Sequence, residues 1–164
     1  VAGLLLLVGW SMRLVYTVTA FTVGHSVTLA LVSLGVVTNP EAVIEWLIAL
    51  SIWVLAFELS RPGKHSRLWQ RPWYLAALFG LLHGMGFAGA LAETGLPQLH
   101  LPTALLFFNV GIELGQLAFI ALLTVVGTFV LRLSQASWIK IAPVYVLGAV
   151  STYWLLDRTG ALLG

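Results

Sequence analysis

His25, His83 and Glu113 each stand near the middle of a long apolar run. An ionisable side chain at the centre of a bilayer costs at least about 2.5–3.5 kcal/mol on insertion scales, so it usually has a partner or a task. Imidazole and carboxylate together suit Ni²⁺, Co²⁺ and Zn²⁺. Binding requires neutral histidine and ionised glutamate, so affinity would fall in acid. Asn109, Glu113 and Gln116 are spaced i, i+4, i+7 and share one helix face. Thr22 and Thr28 flank His25 at i−3 and i+3, and Gly80 and Gly84 flank His83 in a small-xxx-small pattern that admits a close neighbour. The expected site is therefore His25, His83 and Glu113 as ligands of a divalent ion. Asn109, Gln116, Thr22 and Thr28 are auxiliary polar groups, and Gly80 and Gly84 are packing positions.

Each feature has a plainer account. A lone intramembrane histidine is often a hydrogen-bond strut between helices, and amides such as Asn109 and Gln116 can join helices without binding anything. Two histidines at one depth, with a carboxylate nearby, favour binding. Glu45 lies about one turn inside the outer face, where solvation suffices. Glu58 lies at the opposite end, where pairing with Arg61 is expected. His65 and His100 fall in loops, and Glu93 with His100 could at most gather cations at an outer mouth.

The elements that must position these groups follow from composition. Of the 164 residues, 60% are hydrophobic and 9% charged, against about 25% charged in soluble domains, and the mean hydropathy is +0.99. Eight basic and six acidic residues cannot cover so apolar a core in water; lipid removes that demand. No cysteine is present, which excludes disulfides, thiolate metal sites and cysteine nucleophiles. No basic run reads as a nucleic-acid surface. Spanning helices need about 20 apolar residues, and the runs predict them at about 14–37, 41–60, 73–93, 103–131 and 138–156. Asn39-Pro40 closes the first, because proline cannot continue a helix. Residues 1–12 read as the end of a helix whose beginning is missing, followed by a short turn. No basic stretch precedes the apolar one, which argues against a signal peptide. The expected fold is an all-α, polytopic transmembrane bundle in one domain, with about five spanning helices and a partial N-terminal helix.

Seven of the eight Lys and Arg residues fall on one side of these spans, and only Arg158 on the other. The positive-inside rule then places 61–71 in the cytoplasm and the C-terminus outside, in a bacterial-type inner membrane. "AFTVGHS" (20–26) and "LFGLLHG" (78–84) repeat Phe and His at one separation, on helices that must run in the same direction. A parallel repeat of the transporter sort has that form.

Three segments also carry a resemblance. "VTAFTVGHSVTLAL" (18–31), "LFGLLHGMGFAGALAETGLP" (78–97) and "FNVGIELGQLA" (108–118) resemble, in order, the motifs of the HupE/UreJ family of membrane proteins, and most closely its second branch. The resemblance covers about residues 14–123. It implies a nickel or cobalt permease, with the ion as cargo and no firm resident cofactor. Members usually begin their membrane part with a helix bearing a Gly-x-Asp-His signature, which this chain lacks. If that helix supplies ligands, these residues hold part of the site. No Walker A pattern points to ATP as an energy source, and no enzyme is expected. HExxH is absent, and Ser26 points about 100° away from His25 on a helix. The rival readings are a non-transporting partner subunit and a b-haem protein ligated by the two histidines. The expected partners are the bilayer and a metal ion. A homo-oligomer or a membrane partner subunit is left open, and nucleic acid is excluded.

Overall fold

A computed structural model describes residues 1–61, 70–93, 100–133 and 137–163. Six helices carry these residues: α1 (Ala2–Val8), α2 (Met12–Ser33), α3 (Glu41–Ser60), α4 (Pro72–Glu93), α5 (Leu101–Leu133) and α6 (Ser137–Leu163). No strand occurs among them. Of these helices α2, α3 and α5 are long and apolar enough to cross a membrane. The chain is an all-α bundle and a membrane protein. Large apolar side chains such as Phe107, Leu114, Phe129, Tyr145 and Leu156 stand fully outward on α5 and α6. In water such a surface would be an aggregation liability, whereas hydrocarbon costs it nothing.

Helices lie over the five expected runs, and two ends differ by more than two residues. α2 stops at Ser33, short of the expected residue 37, and its terminator is Gly35 rather than Pro40. Gly35 adopts φ 72°, its N–H donates to the Val32 carbonyl, and the Val36 N–H reaches back to the Leu31 carbonyl, both at 2.9 Å. This is the Schellman closure, in which a left-handed glycine turns the last carbonyls inward. α6 continues to Leu163 and so includes Asp157 and Arg158, because a helix closes its own backbone bonds and does not end where hydropathy falls. Pro72 opens α4 at a position whose N–H would have no helical partner in any case.

α2 and α4 form the centre of the bundle. A side chain at Gly24 would strike the Ala77 carbonyl, one at Gly80 the Phe21 carbonyl, and one at Gly84 the His25 carbonyl and the Thr28 hydroxyl. The three glycines therefore let the two backbones touch, and the rising residue numbers on both sides show that the helices run parallel. Thr28 Oγ1 donates across this seam to the Leu81 carbonyl at 2.7 Å. One core cluster gathers Leu14, Val18, Leu55, Phe79 and Ile120 with Leu4 and Leu7 of α1; a second gathers Leu29, Ala88, Leu91, Leu101 and Leu105. Ile120 thus lies with the start of α2 and Leu105 with its end, so α5 runs antiparallel to α2. α3 and α6 are also antiparallel, joined at one end by Glu45 and Arg158 and by the Trp46 Nε1 donor to Thr159 Oγ1 at 2.9 Å.

Candidate functional site

His25 lies in the middle of α2 and is 3% exposed. The Phe21 ring stacks on it at 6.2 Å and the Phe87 ring meets it edgewise at 5.9 Å. Neither imidazole nitrogen has a hydrogen-bond partner. A buried polar group left unpaired costs about 1–3 kcal/mol, so this side chain makes a poor strut.

His83 lies in the middle of α4. Its Nδ1 sits 2.7 Å from the Phe79 carbonyl. A carbonyl only accepts, so Nδ1 carries the proton and Nε2 keeps its lone pair. The Phe21 ring also approaches His83 edgewise at 5.3 Å, and the one phenyl ring therefore contacts both imidazoles. The repeated Phe and His of the sequence echo thus meet at the parallel seam.

Both histidines line one cavity of about 660 Å³. Its walls take in the first turn of α1 and residues of every other helix; its titratable and amide side chains are His25, His83 and Gln116 in the interior and Glu45 and Arg158 at the other end. Thr22 on α2 donates to Gln116 Oε1 at 3.3 Å. Asn109 is buried, its Nδ2 bound to the Leu105 carbonyl at 2.8 Å and its Oδ1 without a partner.

The three expected ligands do not form one set. Among the described residues no group of three or more His, Asp or Glu side chains is disposed to hold a metal ion. Glu113 is absent from the cavity wall and instead accepts a hydrogen bond from Thr19 Oγ1 at 2.7 Å. The register explains this. Thr19 lies six residues before His25, about 9 Å along the helix axis at 1.5 Å per residue. Thr19 and Thr22 bond Glu113 and Gln116 in the same chain order although α2 and α5 run antiparallel, so these bonds cross between levels and the spacing in the sequence does not reveal them. Phe21 lies four residues before His25 and Phe87 four residues after His83, and only the packing reveals their role.

Other groups also settle differently. Glu45 is not merely solvated but pairs with Arg158 at 3.2 Å. Glu58 is buried without an ion pair among the described residues, and the Arg61 guanidinium lies 5.0 Å over the Phe57 ring instead. Arg61 leaves the helix in an extended conformation at φ −77°, ψ 135°. His100 is exposed, whereas His65 and the Glu93 side chain fall outside the described residues.

No curated protein and no solved structure matches the chain. The family profile described as HupE / UreJ protein matches residues 1–158, which takes in all six helices except the last turn of α6, and so this membrane bundle, with its paired histidines, belongs to the HupE/UreJ family.

Proposed function

We propose that the chain is a permease, not an enzyme, for a divalent transition-metal ion of the nickel or cobalt class, and that His25 and His83 hold the ion in transit. The observation that carries this reading is His25, a fully buried imidazole with two unpartnered nitrogens on the wall of a cavity that also contains His83 and Gln116. Imidazole nitrogen favours first-row transition metals over Mg²⁺ and Ca²⁺, which prefer oxygen. His83 is prepared for the task, because its carbonyl-bound Nδ1–H orients the ring and leaves Nε2 as the donor. Gln116 Oε1 offers an amide oxygen, and water completes the shell. Few protein ligands suit a site that must also release its ion. Glu113, held by Thr19 about two turns away, supplies negative charge along the path rather than a bond in the same shell. The basic end of the bundle, with Arg13, Arg61, Arg71 and Arg132, faces the cytoplasm of a bacterial-type inner membrane, and the Glu45–Arg158 end faces outward.

The test is accumulation of Ni²⁺ and Co²⁺ in cells carrying the parent, His25→Ala or His83→Ala, with membrane insertion checked in each. Loss of uptake in both variants with normal insertion is expected. Uptake equal to the parent in both would return the histidines to a structural role and favour a non-transporting subunit.

A further inference from the structure

At the end of the bundle opposite Glu45 and Arg158, three arginines share one level. Ile48 packs against Gly86 across the antiparallel α3 and α4. Arg61 lies 13 residues past Ile48 and Arg71 lies 15 before Gly86, so the two differ by about 3 Å along the axis. Gly80 meets Phe21 across the parallel seam. Arg71 lies nine residues before Gly80 and Arg13 eight before Phe21, a difference of about 1.5 Å. Arg13 and Arg71 each precede the histidine of their helix by 12 residues, about 18 Å. Half the hydrocarbon thickness of a bilayer is about 15 Å, so with the histidines at mid-membrane the arginines stand among the lipid headgroups. Tyr16, Trp73 and Tyr74 are exposed within about one turn of the same level, as in an interfacial aromatic belt.

Two of these guanidinium groups rest on aromatic rings. Arg61 Cζ lies 5.0 Å over the Phe57 ring and Arg71 Cζ 6.0 Å over the Tyr74 ring. Such a contact occupies the flat face of the guanidinium and leaves the N–H groups of its edge free to donate. All three arginines are exposed, and among the described residues the ion pairs all involve Arg158 at the far end. Of the six acidic residues only Glu58 belongs to this end, and it is buried. The level thus carries positive charge and oriented donors with no exposed carboxylate to match them. A phosphate diester is the complement, with one negative charge and oxygens spaced for a guanidinium fork. From this arrangement we infer that the level is a binding collar for anionic phospholipid, in which Arg61 and Arg71 each bind headgroup phosphate and Arg13 adds charge. Phosphatidylcholine suits it less, because its choline brings a second cation to the basic ring. The inference needs neither a transported ion nor a given orientation of the chain.

Electron paramagnetic resonance of spin-labelled lipids tests the collar in the full chain, reconstituted in phosphatidylcholine vesicles. The fraction of label immobilised by the protein is compared for phosphatidylglycerol and phosphatidylcholine. The parent should favour phosphatidylglycerol about two- to fivefold over the contacting lipids, since one surface arginine is worth about fivefold for a single anionic lipid. Arg61→Gln with Arg71→Gln should bring the ratio close to one while the immobilised phosphatidylcholine stays constant, which also reports an intact bundle. Arg61→Lys with Arg71→Lys keeps the charge without the planar fork and should lower the ratio partway. Phe57→Leu keeps all the charge, removes the ring beneath Arg61 and should also lower it partway. Arg158→Gln should leave it unchanged. A parent without selectivity overturns the collar, as does parental selectivity in the double Gln variant. An equal loss in Arg158→Gln overturns it too, because overall charge rather than this level would then attract the lipid. Loss of selectivity on adding inorganic phosphate at constant ionic strength would assign the level to free phosphate and overturn the lipid assignment.

Discussion

Replacing His25 by leucine separates a binding site from a strut, because the two roles predict opposite changes in stability. Leucine is close to histidine in volume and carries no polar atom. The substitution removes two buried nitrogens without partners, which relieves about 2–6 kcal/mol at about 1–3 kcal/mol for each unpaired group. It also removes the contacts with Phe21 and Phe87, a loss of about 1–3 kcal/mol at about 0.5–1.5 kcal/mol each. At the midpoints of these ranges the expected net effect is a stabilisation of about 2 kcal/mol in the ion-free protein, together with complete loss of metal uptake. Thermal unfolding in detergent, followed by tryptophan fluorescence, reads the first, and whole-cell Ni²⁺ accumulation the second. A variant less stable than the parent would mean that His25 is hydrogen-bonded in the folded protein and would refute the reasoning. Protection of the parent by added Ni²⁺, absent in His25→Leu, would follow from mass action on the folded state.

Further expectations concern packing, charge and orientation. Gly84→Leu should lower folded yield sharply, since its side chain would strike the His25 carbonyl, whereas leucine at the exposed Ala121 should be tolerated; equal yields on size-exclusion chromatography would contradict the seam. Glu113→Gln keeps an oxygen for Thr19 and should fold normally while Ni²⁺ uptake falls; unchanged uptake would show that its charge does not matter. Single cysteines should react with an impermeant reagent in intact cells within residues 95–101 and not within 61–71, and the reverse pattern would invert the proposed orientation.

The bundle was legible because composition and run length respond to the solvent, and lipid leaves a coarse signature in both. Helix ends were less so. The Pro40 signal is conspicuous, yet Gly35 ends α2 first, since a left-handed closure depends on backbone geometry that neighbouring prolines do not report. Depth along each helix placed His25 and His83 together, because depth is a count of residues. It misplaced Glu113, because convergence also depends on which helix face turns inward and on the axial offset between antiparallel partners. The Glu45–Arg158 pair was invisible for the same reason: its members are 113 positions apart in sequence and meet only because α3 and α6 are antiparallel.

The glycine seam between α2 and α4 has a mechanical consequence. Two helices whose backbones touch at Gly24, Gly80 and Gly84 cannot slide or roll on one another without collision, so they behave as a single stiff plate. That plate bears both imidazoles, and their separation is held whatever the rest of the bundle does. α3 meets α4 through the flexible end of Ile48 at Gly86 and meets α6 through polar links at the wetted end. In the proposed permease this plate, with its two histidines, would therefore be the fixed part around which the other helices move.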